Sequence, residues 1–241
     1  MRRNTAARNS LLVIAVNAAA ALLVTSPCLQ CGIAAAAESA APPVMPPISA
    51  APAGQYQLDK SHASLVLRVS HMGFSTYTTR FSRFDAELAF DPNNLSASRV
   101  TATIDASSLE MDAAPAMCLD IVKGGQMLDT ANFPRIVFKS ERVRMSGPKS
   151  MQIHGTLTIR GVTRPMLLAA TYNGGYAGMP AMDPHARIGF SAHGSFKRSD
   201  FGMTFGIPAA GTKMGVGDLI DFSLEAEFTG PALPTPAAEA H

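Results

Sequence analysis

Between residues 65 and 228 apolar and polar side chains alternate in eight separate runs. Leu65, Leu67 and Val69 alternate with Val66, Arg68 and Ser70, and Phe84, Ala86, Leu88 and Phe90 alternate with Asp85 and Glu87. Val100, Ala102 and Ile104 follow against Thr101, Thr103 and Asp105, then Ile136 and Phe138 beside Lys139 and Glu141. The same spacing recurs from Met151 to Ile159, Met166 to Tyr172, Ile188 to Phe196 and Ile220 to Phe228. A period of two predicts strands with one buried face. Tyr56 to Asp59 predicts a short additional strand. Asp91-Pro92-Asn93-Asn94, Ser146-Gly147-Pro148-Lys149, Arg160-Gly161-Val162-Thr163 and Asn173-Gly174-Gly175 fall between runs, where Gly and Pro supply tight-turn backbone angles.

One stretch breaks the pattern. From Ser107 to Asn132 the apolar residues Leu109, Met117, Leu119, Val122 and Leu128 lack alternation, which predicts a connection containing a short helix near residues 107–132. The fold class is therefore all-β, with antiparallel strands around one helical interruption. Pattern alone leaves a sandwich and a closed barrel both open, and only the barrel removes exposed sheet edges.

The ends change the picture of what the mature protein is. Arg2, Arg3 and Arg8 precede an apolar run from Leu11 to Val24, and small residues follow at Ala34 to Ala37. This order predicts a signal peptide over residues 1–37, with export to the periplasm. Its run of about 14 apolar residues falls short of the ~20 that span a bilayer as a helix. Residues 38–53, with Pro42, Pro43, Pro46, Pro47 and Pro52 among alanines, read as a Pro/Ala-rich linker. Residues 54–230 then form the barrel domain, and 231–241 a disordered tail.

Cleavage would also remove Cys28 and Cys31, leaving Cys118 as the one remaining cysteine, so the fold rests on its core and not on a disulfide. The three arginines leave with the same segment. The mature chain then carries 17 basic against 18 acidic residues, has no tryptophan and holds four tyrosines, which argues against a nucleic-acid partner. Arg135, Lys139, Arg142, Arg144 and Lys149 read as a solvated strand face.

Candidate chemistry is sparse, and the reading is of a protein that is not an enzyme. Gly189-Phe190-Ser191-Ala192-His193 approaches a nucleophile elbow, but His193 replaces the second glycine and the segment lies within a strand pattern. His62, His71, His154, His185 and His193 are scattered without ligand-pair spacing, so no metal site is assigned. Gly211, Gly215 and Gly217 lack the spacing of a phosphate-cradling loop. The domain does hold 11 of the chain's 13 methionines, which adapt to irregular apolar shapes and would suit either a filled core or a pocket for a flexible chain.

Three segments carry a family resemblance: His71-Met72-Gly73-Phe74-Ser75, Gly155 to Pro165 and Arg198-Ser199-Asp200-Phe201-Gly202-Met203. With Tyr56 to His62, Phe90-Asp91-Pro92 and Phe133 to Ser140, they occur in the order found in the YceI-like, lipocalin-like periplasmic proteins, which the chain resembles from about Tyr56 to Phe228. Met117-Cys118-Leu119-Asp120-Ile121 departs from the Arg-Asp-x-His-Leu-like stretch usual there. The resemblance implies an eight-stranded lipocalin-like barrel. It also implies a polyisoprenoid or similar long-chain amphiphile, a quinone or fatty-acid-like molecule included, as ligand, with no other cofactor.

On that resemblance the cavity would be lined by Phe84, Phe90, Ile104, Phe138, Leu157, Phe190, Phe196 and Met203. His71, Arg198 and Asp200, in the signature turns, are candidate headgroup residues, with a structural ion pair between Arg198 and Asp200 as the competing reading. Burying about ten methylenes contributes roughly 8 kcal/mol before ordering costs, enough for useful affinity without any catalytic group. The alternative function is a non-catalytic interaction module whose barrel is filled by side chains and whose outer face docks a membrane redox or stress-response partner. A homodimer is the remaining partner class.

Overall fold

The computed structural model describes residues 49–180 and 182–234. The predicted signal peptide and all but the end of the predicted linker lie outside the described residues. Ten strands and one helix follow in chain order: β1 Gly54–His71, β2 Ser75–Phe81, β3 Phe84–Phe90, β4 Arg99–Asp105, β5 Leu109–Glu110, α1 Ala116–Lys123, β6 Arg135–Met145, β7 Ser150–Ile159, β8 Val162–Tyr176, β9 His185–Lys197 and β10 Val216–Ala232.

Eight of the strands close on themselves. Pairing runs antiparallel through β10, β9, β8, β7, β6, β4, β3 and β1, and β1 pairs back with β10. The closing seam aligns Leu65 with Leu224, Leu67 with Phe222 and Val69 with Ile220. These eight strands contain the eight alternating runs of the sequence. Closing the ring gives each of its strands a neighbour on both sides over most of its length, so no long edge is left to template aggregation. Tight turns set the register: between Ile159 and Val162, which pair directly, Arg160 and Gly161 carry φ of 51° and 73°. That two-residue left-handed turn matches strand twist, and glycine takes the second position without a Cβ penalty.

Four differences from the sequence reading have physical causes. Tyr56 to Asp59 is the first half of the long strand β1 and not a separate element. Strand β2 has too many threonines and serines to show an apolar period, although its β-branched and aromatic residues favour extended backbone. Residues 49–53 pack instead of acting as a spacer: Ala51 is buried, the Tyr172 hydroxyl meets Ser49 Oγ, and the Tyr56 hydroxyl donates to the Pro52 carbonyl at 2.7 Å. Pro231 and Ala232 continue β10 before the tail, whose residues 235–241 lie outside the described residues.

The interior divides into two apolar clusters. One gathers Tyr56, Leu88, Phe90, Tyr172, Ile188 and Phe228; the other gathers Phe81, Ile136, Phe138, Leu157, Met166 and Phe201. The 107–132 connection contributes Leu128, Leu119 and Val122 to the second cluster, together with Phe201 and Met203 from the turn after β9. Burying these faces is what holds the short helix α1 in place, since eight residues are too few for a stable isolated helix.

Candidate functional site

Inward-facing residues of all eight barrel strands surround a narrow cavity of about 180 Å³. Its wall runs from Leu88, Phe90 and Phe228 at one end to Ile159, Phe196 and Phe222 at the other, and Ser98 and Arg99 are its only polar lining residues. Of the predicted lining residues, Phe84, Phe90, Ile104, Phe138, Leu157, Phe190 and Phe196 sit on this wall. Met203 does not line it. It is buried in the turn beyond β9, where it packs with the second cluster.

The predicted headgroup residues are dispersed. His71 ends β1 and is exposed. Arg198 is buried, and its guanidinium donates to the carbonyls of Gly217, Met203, Phe205 and Val216 at 2.8–2.9 Å. It therefore clasps the loop between β9 and β10 and is not presented to a ligand. Burial pulls its pKa below the usual value, an effect that the nearby Asp218 opposes. Nor does Arg198 pair with Asp200, which is exposed; the loop's carboxylate contact is Asp218, which accepts from the Ser199 amide at 2.9 Å and hydroxyl at 2.8 Å. Sequence alone could not show this, because the acceptors are backbone carbonyls gathered by the fold.

The barrel wall is interrupted on one side. Strand β1 pairs with β3 only from Gly54 to Gln57, and with β2 only from Leu65 onward. Against β10 the same stretch carries a bulge, with five steps from Leu58 to Ala63 matched by two from Phe228 to Ala226. Residues Leu58 to Ser64 thus have no strand partner on the β2–β3 side. A hollow of about 880 Å³ lies over this opening, and its wall shares Leu58, Leu65, Phe81 and Phe84 with the interior cavity. A sequence signal for the opening does exist: Asp59-Lys60-Ser61-His62 places four polar residues in succession inside a strand, which breaks the period of two.

The bulge is pinned by charge. Asp59 accepts from the Ser61 amide at 3.0 Å and hydroxyl, meets His62 Nδ1 at 3.1 Å, and pairs with Arg187 from β9. Hydrogen bonds from Ser61, His62 and Arg187 hold its carboxyl well below the usual range. Asp59, His62 and Glu227 bring ligand atoms within 4.8 Å of one another, as a metal site would need. The Arg187 guanidinium already supplies the positive charge there. Farther along the opening, Asp105 is lowered by hydrogen bonds from Ser107 and then from Arg83. At the other end of the interior, burial, reinforced by Tyr172, pushes the Tyr56 hydroxyl up to about 12.

A closed antiparallel ring of eight strands around an apolar channel defines the class: a small lipocalin-like barrel. The YceI-like domain model matches residues 56–228, and the chain belongs to this family. A UPF0312 protein of Vibrio cholerae is 30% identical over 182 residues, covering 74% of this chain and 88% of that protein. Among solved structures, Burkholderia cenocepacia BcnA superimposes with a TM-score of 0.59 at 22% identity, over 70% of this chain and 98% of that one. A polyisoprenoid binding domain from Saccharophagus degradans, implicated in plant cell wall breakdown, gives 0.52 at 12% identity, over 73% and 98%. At such identities the two structures speak for the fold alone.

Proposed function

We propose that this chain is an exported, non-catalytic carrier that encloses the apolar chain of a polyisoprenoid or similar long amphiphile, with isoprenoid quinones within the same class. The observation that supports this most is the interior: a cavity whose wall is apolar but for Ser98 and Arg99. The polyisoprenoid-binding description of the Saccharophagus degradans neighbour points the same way. An apolar cavity of about 150 Å³ is known to stay dry and accept a benzene-sized guest. The 180 Å³ channel therefore takes a short isoprenoid segment as it stands, and a longer chain continues into the 880 Å³ hollow at the side. The basic and then apolar order of residues 1–37 supports the export part of this reading.

One observation favours the filled-barrel interaction module as a second reading. Phe190 packs edge to face on Phe90, Tyr172 and Phe228 at ring-centroid distances of 6.4, 5.6 and 6.2 Å, so aromatic side chains already fill part of the interior. Native mass spectrometry of protein purified from its own periplasm, followed by solvent extraction, separates the two. A stoichiometric long-chain species is expected. A clean unliganded mass that stays unchanged after incubation with polyprenyl lipids would overturn the carrier reading.

A further inference from the structure

The opening between β1 and β3 has features that the enclosure of a lipid tail does not require. Its two banks carry Lys60 on β1, Arg80 on β2, Arg83 between β2 and β3, and Arg135 at the start of β6. Three of these cations have carboxylate partners at 2.6–2.7 Å: Lys60 with Asp85, Arg80 with Glu110 and Arg83 with Asp105. Arg135 stands opposite Asp105 in the β4–β6 register, is exposed, and forms no ion pair among the described residues. Four cations face three carboxylates, so the rim keeps an unmatched positive charge directly over an apolar passage.

The Lys60–Asp85 pair also spans the opening, joining β1 to the stretch of β3 that β1 does not pair with. Its side chains are 65% and 50% exposed, and pairs of that kind are worth about 0–1 kcal/mol. Because of the bulge, Leu58 to Ser64 advances only from Phe228 to Glu225 along β10, on the order of 10 Å at ~3.3 Å per residue, which still lets an isoprenoid chain pass once that pair parts. At both ends of the barrel, described side chains are packed across the mouth. The Arg198 clasp and α1 lie at one end, and Ala51 with the Tyr56 and Tyr172 hydroxyl contacts lies at the other.

We infer that the side opening between β1 and β3 is the port through which the amphiphile enters, and that an anionic headgroup, phosphate or carboxylate, rests there against Arg135 and Lys60. This rests on the carrier reading and adds the route and the headgroup charge. The chemistry suits the site: an oxyanion can replace Asp85 as the partner of Lys60 and can supply Arg135 with an acceptor, while the tail continues past Leu58 and Phe84 into the channel.

The test is a comparison of geranylgeranyl phosphate, palmitate and the uncharged geranylgeraniol on the full mature chain and its variants. Arg135→Glu is expected to weaken the anionic ligands at least tenfold and leave the alcohol unchanged, because a hydrogen bond to a charged group is what is lost. Arg135→Gln, which adds no like charge beside Asp105, is expected to lose roughly threefold on the anions alone. His71→Glu, at the barrel end, is expected to change nothing. Whichever anion the wild type binds more tightly identifies the headgroup. If Arg135→Glu leaves all three affinities intact, or lowers them equally, or if His71→Glu is the variant that matters, the port is overturned and the carrier reading stands. A wild type that binds none of the three overturns both.

Discussion

The two halves of the barrel interior are built from the same alternating pattern and differ in what closes them. Around Tyr56 the wall is complete: β1 pairs with both β3 and β10, a chain of edge-to-face aromatic contacts fills the centre, and residues 49–53 fold over the end. A few residues along the same strand, β1 bulges away from β10, leaves β3 unpaired, and surrounds the opening with charge. The fold separates its tasks along a single strand. Both halves pack an apolar cluster, but only the half beyond Leu58 leaves backbone unpaired, at the opening proposed as the ligand's port.

Substitutions that sharpen this contrast are ordered by size. Phe90→Ala removes a buried ring from the aromatic chain and should cost about 3–5 kcal/mol, read as a lowered denaturation midpoint. Arg198→Met should cost about 2–4 kcal/mol, because it leaves carbonyls in a closed loop without their donor. Leu65→Ala, half-buried where the opening ends, should cost about 1–2 kcal/mol while changing lipid affinity more than the other two. If Leu65→Ala proved as destabilising as Phe90→Ala, the two halves would be equally structural and the contrast would fail.

The smallest effects are titrations, and they assign one pH limb to each half. Asp59 and Asp105 flank the opening with carboxyls held below their usual range. Their stabilisation is present above the unfolded carboxylate pKa and is lost as the pH falls below about 4. Tyr56, raised to about 12, acts in the opposite sense: its contribution is full below pH of about 10 and fades as the pH rises towards the folded value. Asp105→Asn should flatten the acid limb and Tyr56→Phe the alkaline one, as followed by pH-dependent unfolding.

How much of this was legible in the sequence follows the same division. The eight ring strands could be read because each has one buried face, and burial writes a period of two into the residues. Cavity residues such as Phe138 and Phe190 followed from that period together with the family resemblance. Strand β2 escaped because Ser75 to Phe81 is polar on most positions. The opening escaped because it is a relation between three strands, visible in one dimension only as the polar run from Asp59 to His62. The reading of Arg198 as a headgroup cation failed for a similar reason: backbone carbonyls from Met203 to Gly217 converge on it only after the loop folds.

The most direct measurement is an experimental structure of the mature chain loaded with geranylgeranyl phosphate. The account predicts a continuous apolar chain in the channel between Phe90 and Phe222, leaving through the β1–β3 opening with its phosphate beside Arg135. A filled interior with the lipid bound elsewhere, or a chain entering past Met203 at the clasped end, would contradict it.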